Sequence, residues 1–270
     1  MQLQDRVVVV TGAGSGIGRA TALLFAKQGA RIAACDIDQA RLDSLATELG
    51  DRHLFSRKVD VSDRLAMRLF AEEVHKLAPA ADVIVNNAGV AMGGPFLDQT
   101  LDDWDWILGI NLKGVVHGCH YFIPKMVERG TGGHVINISS ILGIYGAGNV
   151  TSYVATKFAV RGLSLSLREE LAPHKIGVTA ICPGMINTAI IDDGRMAGAI
   201  GDRRKKVAST FKERGASPDK VAAAILDAVH TNPAVRPVGA DAVVISALQR
   251  LAPRALARIG GQLQRRFGAV

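Results

Sequence analysis

The chain is poor in several residue types whose abundance marks other classes of protein. Only 5% of its 270 residues are aromatic, and it has three cysteines, Cys35, Cys119 and Cys182. An odd number of cysteines without paired spacing argues against a disulfide framework, so we expect reduced thiols and a cytoplasmic location. No apolar run reaches the length of about 18 residues that a spanning helix needs. Met1–Asp5 leads directly into a strand pattern, and we therefore expect no secretory signal peptide.

The abundant residues indicate one α/β domain. Hydrophobic residues make up 48% of the chain and there are 29 glycines, which is typical of a buried parallel sheet with tight turns. Strands are predicted at 6–11, 31–35, 53–59, 82–86, 133–139, 177–182 and 235–238. Helices are predicted from Ile17 and at 39–49, 63–77, 101–129 and 152–172. This alternation predicts a doubly wound parallel sheet, the Rossmann fold, in a single domain over residues 1–245.

A glycine-rich segment follows the first strand pattern. Residues 11–18 read Thr-Gly-Ala-Gly-Ser-Gly-Ile-Gly, and an apolar periodicity typical of a helix begins at Ile17. Glycine permits positive φ and lets the backbone approach a ligand closely. A helix N-terminus offers free N–H groups and a positive dipole end. In this strand–turn–helix context the segment predicts a site for the pyrophosphate of a dinucleotide.

The second strand pattern ends in Asp36, eighteen residues after Gly18. A carboxylate in that position accepts hydrogen bonds from the hydroxyls of the adenine-side ribose and repels a 2′-phosphate. No basic residue follows immediately, because the next residues are Ile37, Asp38 and Gln39. The pattern therefore favours NAD over NADP, whereas Asp38 is better suited to capping the helix that follows.

Three polar residues form a candidate catalytic group. Tyr153 and Lys157 are four residues apart, so a helix would place both on one face, and Ser140 lies thirteen residues before Tyr153. A free tyrosine has a pKa of about 10, which a nearby cation lowers. We therefore expect Lys157 to lower the pKa of Tyr153 and fit it for acid–base catalysis. The Ser140 hydroxyl could hold a substrate oxygen beside it.

With three further motifs, the chain resembles the short-chain dehydrogenase/reductase family in its common single-domain form. The motifs are Asn86-Asn87-Ala88-Gly89, Asn111 and Pro183-Gly184-Met185-Ile186-Asn187-Thr188, and the resemblance covers about residues 4–240. It implies a cofactor-binding set formed by Thr11, Gly12, Ser15, Gly16, Ile17, Gly18, Asp36, Asp60, Val61, Asn87, Ala88, Gly89, Tyr153, Lys157, Pro183, Gly184, Ile186 and Thr188. Within that set, Asp60 and Val61 would lie beside the adenine, and Ile186 and Thr188 would orient the nicotinamide carboxamide.

The resemblance also implies a catalytic set of Ser140, Tyr153, Lys157 and Asn111. Tyr153 would exchange the proton of the substrate oxygen, and Ser140 would stabilise the developing oxyanion. Lys157 would lower the phenol pKa and bind the nicotinamide ribose. Asn111 would kink a long helix and hold a relay water.

The motifs together predict an NAD(H)-dependent oxidoreductase that interconverts a secondary alcohol and its ketone. Apolar residues at 89–96 and 141–145, with Met185, predict a pocket for a lipophilic, hydroxysteroid-like substrate. Two alternatives remain open. One is an NADPH-type 3-oxoacyl-thioester reductase, and the other is a non-enzymatic dinucleotide-binding protein at a membrane surface.

The net charge of +7 is concentrated towards the C-terminus. Residues 1–200 hold 19 basic and 20 acidic residues, a balance of −1, whereas residues 201–270 hold 13 and 5, a balance of +8. The glycine-containing segment 189–216 follows the Pro-Gly motif and is predicted to be a substrate lid. Its basic run, 203–206, lacks interleaved aromatics, so we predict no nucleic-acid partner.

Residues 246–270 are predicted to form a basic amphipathic helical extension. Within 246–267, arginines at 250, 254 and 258 alternate with leucines. Such a helix packs on its own protein, contacts another subunit of a homodimer or homotetramer, or lies on an anionic membrane. Pro253 and Gly260-Gly261 divide the segment, which favours packing. His117 and His120 lack a second pair of ligands, so we predict no metal site.

Overall fold

The computed structural model describes residues 2–198, 201 and 204–258. Its strands are β1 (Val7–Thr11), β2 (Arg31–Asp36), β3 (His53–Lys58), β4 (Val83–Asn86), β5 (Met92–Gly93), β6 (Gly133–Ile138), β7 (Ile176–Pro183), β8 (Arg195–Met196) and β9 (Val235–Val238). Its helices are α1 (Gly16–Lys27), α2 (Gln39–Leu49), α3 (Arg64–Leu77), α4 (Leu101–Leu108), α5 (Gly114–Arg129), α6 (Thr151–Leu171), α7 (Arg204–Arg214), α8 (Pro218–Thr231) and α9 (Ala240–Leu251).

Seven parallel strands form one sheet in the order β3-β2-β1-β4-β6-β7-β9. The chain builds outward from β1 in one direction through β2 and β3, and then in the other direction from β4. The reversal lies between β1 and β4, and in such sheets ligands bind beyond the carboxyl ends of the strands at this point. The predicted doubly wound Rossmann fold is therefore confirmed.

Both faces of the sheet are covered by helices, which explains the continuous apolar strands. One face packs against side chains of α1, α2 and α8, including Phe25, Leu42 and Ile225. The other face packs against side chains of α3, α5 and α6, including Phe70, Phe122 and Val160. The two layers enclose the sheet, and many of the predicted site residues lie on the loops that follow the strand ends.

The helix predicted at 101–129 is not continuous. A π-helical turn at Gly109–Lys113 separates α4 from α5, and π turns often mark functional sites. Asn111 lies in this turn and is fully buried. Its side chain accepts a hydrogen bond from Val90 N (2.8 Å) and donates one to Val90 O (2.9 Å). These contacts to another loop are a reason for the local departure from α-helical geometry.

The boundary predicted at residue 246 falls inside a helix. Gly239 adopts φ +105° and α9 begins directly after it, so the apolar periodicity runs through the proposed boundary. Residues 199–200 and 202–203 of the predicted lid and 259–270 of the predicted extension lie outside the described residues. Among the residues described, no helix has the length and hydrophobicity that a membrane crossing requires.

Candidate active site

A cavity of about 970 Å³ opens at the carboxyl ends of the central strands. Most of the predicted site residues line it, and these are Gly12, Ser15, Gly16, Ile17, Asp36, Asp60, Val61, Asn87, Ala88, Gly89, Ser140, Tyr153, Lys157, Pro183, Gly184, Ile186 and Thr188. Gly12 and Thr188, which are 176 positions apart in the chain, thus face one space. The cavity extends from Asp36 at one end to Tyr153 and Met185 at the other.

Three predicted site residues do not line the cavity but contact the segments that do. They are Thr11, Gly18 and Asn111. The Thr11 hydroxyl accepts hydrogen bonds from Asn87 N and Ala88 N, both at 3.0 Å. A side chain at Gly18 would collide with the carbonyl oxygen of Gly12, so only glycine permits this contact between α1 and the turn. Asn111 also donates to Thr156 Oγ1 over 3.3 Å, which connects the π turn to the helix that carries Tyr153.

The glycine-rich turn has the geometry of an anion-binding site. Gly12 and Gly16 have φ values of +63° and +52°, and a Cβ on Gly12 would lie only 2.8 Å from Ala88 Cα. Ser15 is the N-cap of α1, yet its side chain makes no capping hydrogen bond. Free N–H groups and the positive end of the helix dipole therefore point at the cavity beside an available hydroxyl. These features fit the pyrophosphate of a dinucleotide.

Asp36 is held at the far end of the same cavity. Its Oδ2 accepts a hydrogen bond from Gly14 N (2.8 Å) and its Oδ1 accepts one from Asp38 N (3.0 Å). Each carboxylate oxygen retains a second lone pair for a ribose hydroxyl. Asp38 caps α2 by accepting from Arg41 N, as predicted.

Arg41 is a cavity residue that the sequence reasoning missed. Arg41 lies in the first turn of α2, close to Asp36. A Cβ added at Gly14 would be in contact with both of these side chains. Its Nε lies 3.2 Å from Asp38 Oδ2 and its Nη1 lies 3.7 Å from Asp193 Oδ2. The two carboxylates compensate the positive charge of Arg41 near the position expected for the adenine-side ribose.

Ser140, Tyr153 and Lys157 face the cavity together. Lys157 Nζ donates to the carbonyl of Ile138 (3.0 Å) and lies 5.6 Å from the centroid of the Tyr153 ring. Ser140 Oγ accepts from Leu142 N (3.1 Å). The neighbouring Ser139 donates its hydroxyl proton to Lys157 O (2.7 Å), which is a structural contact between the end of β6 and α6.

The pKa of Tyr153 shifts in the direction opposite to the one we predicted. Burial raises the pKa of the phenol, and a hydrogen bond with Ser140 opposes that shift only in part. Burial also lowers the pKa of Lys157 to about 8. The low-dielectric surroundings disfavour both charged forms, and the ammonium is directed to Ile138 rather than to the phenol oxygen. Burial therefore favours the protonated form of the Tyr153 phenol.

Apart from the predicted cofactor-binding set, the cavity is lined mainly by apolar residues. Its lining includes Val90, Met92, Trp106, Ile141, Leu142, Val150, Met185, Ile190, Met196, Val207 and Phe211. The predicted pocket residues at 94–96 and 143–145 are absent from the described lining. Phe96 instead packs edge-on against Trp104, outside the cavity, because the chain turns away after β5.

Several other lining residues gave no recognisable sequence signal. These residues come from four separate segments and are Trp106, Asp193, Phe211 and Asp241. Their local sequence spacing gives no indication that they share a cavity. Trp106 lies on α4 and faces the cavity. The contacts depend on how α4, α7 and α9 pack around the strand ends.

The histidines and cysteines have structural surroundings. His117 Nδ1 lies 2.8 Å from Val61 O, and His120 packs against Tyr121. Within the described ranges, no group of three or more acidic, histidine or cysteine side chains is arranged to hold a metal ion. All three cysteines are buried and unbridged, and burial raises their pKa values.

Comparisons with known proteins agree with this geometry. The family model for short chain dehydrogenase matches residues 6–196. A probable oxidoreductase, EphD, of Mycobacterium tuberculosis is 41% identical over 260 residues, covering 93% of this chain but only 44% of that protein. The chain therefore spans less than half the length of this relative. The 3-oxoacyl-[acyl-carrier-protein] reductase FabG of Thermotoga maritima is 38% identical over 197 residues, covering 71% of this chain and 78% of that protein.

A solved structure supports the fold. The crystal structure of a short chain dehydrogenase/reductase from Burkholderia phymatum in complex with NAD has a TM-score of 0.87 and 23% sequence identity. The match covers 94% of this chain and 96% of that one. The family model covers well over half of the chain, and its range includes the residues from Gly12 to Thr188 that line the cavity. The chain therefore belongs to the short-chain dehydrogenase/reductase family of oxidoreductases.

Proposed function

We propose that the chain is an NAD(H)-dependent oxidoreductase that interconverts a lipophilic secondary alcohol and its ketone. The observation that carries the proposal is the shared cavity. The Tyr153 phenol, the Ser140 hydroxyl and the Lys157 ammonium face the same space as the glycine-rich turn and Asp36. A nicotinamide dinucleotide bound there would accept a hydride in oxidation and supply one in reduction.

The protein's own groups perform the proton chemistry. In reduction, Tyr153 donates its phenolic proton to the carbonyl oxygen while the carbonyl carbon gains the hydride. In oxidation the phenolate takes the alcohol proton back. Ser140 stabilises the charge that develops on the substrate oxygen. Because burial favours the protonated phenol, the reducing direction needs no prior ionisation of Tyr153.

Two features support NAD rather than NADP. Asp36 presents a carboxylate where a 2′-phosphate would lie, and two like charges in that space repel. Arg41, the basic side chain nearby, is paired with Asp38 and Asp193. We expect a higher kcat/KM with NADH than with NADPH, and Asp36→Ser to reduce that preference. A higher kcat/KM with NADPH in the wild type would contradict this proposal.

The lining of the cavity supports a lipophilic substrate. Most of its charged residues gather near β2 and β3, and these are Asp36, Asp38, Arg41, Asp60 and Asp193. The described residues around Tyr153 add only Lys157 and Asp241 as charged groups. A large apolar lining with a few polar groups at the reacting centre selects apolar molecules that carry one oxygen function.

A 3-oxoacyl-thioester reductase is the second candidate. The similarity to the FabG protein of Thermotoga maritima favours it. So does α7, which places Val207 and Phe211 at the cavity and has Lys205, Lys206 and Lys212 exposed beside it. An anionic carrier could approach these lysines, whereas Asp36 disfavours the NADPH that this alternative assumes.

A substrate screen tests these functions. Hydroxysteroids, other lipophilic secondary alcohols, their ketones and a 3-oxoacyl thioester would be assayed with NAD(H) and NADP(H), following the absorbance of the reduced nicotinamide. We expect turnover with lipophilic alcohols and NAD(H). Preferred turnover of the thioester would support the second candidate, and cofactor binding without any turnover would support a non-enzymatic protein.

Tyr153→Phe is the matching variant, with Tyr121→Phe outside the cavity as its control. Loss of the acid–base group is expected to lower kcat by about a hundredfold or more while NADH binding persists. Near-normal turnover by Tyr153→Phe would remove the proposed proton donor. Loss of activity in Tyr121→Phe would instead indicate a general effect on folding.

A further inference from the structure

Asp241 reaches from the C-terminal helix to the loop that follows β7. It is the second residue of α9, and its Oδ2 accepts a hydrogen bond from Met185 N over 2.8 Å. Its side chain also lines the cavity. Asp241 therefore contacts the Pro183–Thr188 motif. It belongs to a part of the chain in which the sequence analysis found none of the family motifs.

Two glycines make room for this carboxylate. A Cβ on Gly184 would collide with both carboxylate oxygens, and a Cβ on Gly239 would lie 2.6 Å from Oδ1. Gly239 has φ +105°, a conformation that other residues rarely adopt. The backbone on both sides is therefore shaped around Asp241, which distinguishes it from an acidic residue that only faces solvent at a helix start.

The contacted loop is fixed from two sides. Gly184 N donates to Val238 O of β9 over 2.8 Å, and Asp241 holds the next N–H group, that of Met185. Directly beyond lie Ile186, which bridges to Ala216, and Thr188, whose Cγ2 would lie 3.1 Å from a Cβ on Gly16. Met185 O also accepts a hydrogen bond from Ala216 N over 2.9 Å, so loss of Asp241 would leave the Met185 N–H without its partner at the start of a segment that faces the glycine-rich turn across the cavity.

We infer that Asp241 is a positioning residue that holds the Met185–Thr188 segment where it orients the nicotinamide end of the cofactor. The inference rests on the proposed function. The Asp241 side chain is suited to the task, because it supplies an acceptor oxygen to Met185 N and its charge is stabilised by the N-terminus of α9. A displacement of about 1 Å in such a segment lowers the rate of the chemical step by roughly a hundredfold.

The test compares Asp241→Ala with Asp241→Asn in the full chain. Asparagine keeps an acceptor oxygen for Met185 N, whereas alanine does not. We expect Asp241→Ala to lower kcat by about tenfold to a hundredfold and to raise the dissociation constant of NADH, measured from nicotinamide fluorescence, by about fivefold. Asp241→Asn is expected to stay within about threefold of the wild type in both quantities.

Asp102→Ala is the matched control. Asp102 is likewise the second residue of its helix, α4, and it is exposed and outside the described cavity lining. Its loss removes an acidic group from a helix start without touching the Pro183–Thr188 motif. We expect kcat and NADH affinity close to those of the wild type.

Three outcomes would overturn the inference. Asp241→Ala could bind NADH and turn over like the wild type. It could lower only the melting temperature, with kcat per folded molecule unchanged, which is the signature of a merely structural role. Asp241→Asn could lose as much as Asp241→Ala, which would assign the effect to charge rather than to the Met185 contact. A wild-type protein that neither binds NADH nor turns over would instead refute the proposed function.

Discussion

Tyr153 and Lys157 show how burial decides the protonation of neighbouring groups. They are one helical turn apart on α6, and the spacing alone suggests a phenol made acidic by a cation. In the folded chain the pKa of Tyr153 is raised and that of Lys157 is lowered to about 8. A positive charge brought by the oxidised nicotinamide would favour the phenolate, so we expect the base form of Tyr153 to depend on the bound cofactor.

The Lys157 shift predicts a pH-dependent difference between the wild type and Lys157→Met. The folded-state pKa of about 8 lies below the ordinary 10.5, so the unfolded state binds more protons between these values. The destabilising contribution of Lys157 is therefore full below pH 8 and declines as the pH rises towards 10.5. Between pH 7 and pH 10, we expect the free energy of unfolding to rise by about 2 kcal/mol more in the wild type than in Lys157→Met.

Denaturant unfolding at several pH values measures this difference. The loss of the hydrogen bond to Ile138 affects Lys157→Met at every pH, so the slope of the difference, not its absolute value, carries the information. Lys27→Met, which removes a lysine at an exposed position of α1, is the control. A flat difference for Lys157→Met would show that Lys157 is charged in the folded protein throughout this range.

At the scale of elements, the segment after β7 is attached to the opposite wall of the cavity. β8 pairs with β5 in parallel, and Arg195 of β8 places its guanidinium 4.2 Å from the centroid of the Trp106 ring. Arg195 Nη1 also lies 3.2 Å from Asp103 Oδ1. We call Arg195, Trp106 and Asp103 the clasp, because they join the predicted lid to α4 beside the substrate end of the cavity.

The clasp predicts a change in substrate binding for Arg195→Met. A cation–π contact and a partly exposed ion pair together contribute about 1–2 kcal/mol. We expect the KM for the substrate to rise about five- to thirtyfold, while the dissociation constant of NADH changes little. Arg214→Met, at the exposed end of α7, is the control and should keep the KM of the wild type.

Tryptophan fluorescence provides a second readout of the clasp. Trp104 and Trp106 are the two tryptophans of the chain, so a Trp104→Phe background reports on Trp106 alone. Removing the guanidinium from its ring is expected to change the Trp106 emission. An unchanged KM together with unchanged emission would mean that Arg195 does not hold this segment in solution.

At the scale of the whole molecule, the C-terminal region combines buried and exposed apolar residues. Ala242 and Leu256 are buried against the protein, which agrees with packing of this region on its own subunit. On the outer face of α9, Val243, Val244 and Leu251 remain 53%, 56% and 82% exposed. The arginines at 250, 254 and 258 are also exposed. An exposed apolar face of this kind is typical of a contact with another subunit.

We predict that this face of α9 contributes to a homo-oligomer rather than to membrane binding. Burial of an aliphatic side chain contributes about 1.5–3 kcal/mol, so Val244→Asp with Leu251→Asp should raise the dissociation constant of the oligomer at least about tenfold. Analytical ultracentrifugation measures this constant. Leu97→Asp, at a residue that is 91% exposed away from α9, is the control.

Liposome co-sedimentation tests the membrane alternative with the same proteins. We expect no more protein to sediment with anionic vesicles than with neutral ones. Sedimentation with anionic vesicles that is lost in the α9 double variant would contradict the subunit contact and favour a membrane surface. An oligomer that is equally stable in the double variant would also contradict the prediction.

The order of strands and helices, the glycine-rich turn and the polar residues near Tyr153 could be predicted from the amino-acid sequence alone. These features are local, since they depend on the alternation of apolar residues and on glycine, capping and spacing over a few positions. The same locality explains why Asp38 was correctly predicted to cap α2 and why the bounds of most strands were correct within one or two residues.

The packing of the helices on the sheet, in contrast, sets which distant residues share the cavity and how their charges behave. The approach of Arg41 to Asp36, the reach of Asp241 to Met185 and the π turn around Asn111 depend on contacts between segments far apart in the chain. The raised pKa of Tyr153 depends on burial, which no spacing reveals. Local patterns specify backbone conformation, whereas the dielectric surroundings and partners of a side chain exist only once the layers have packed.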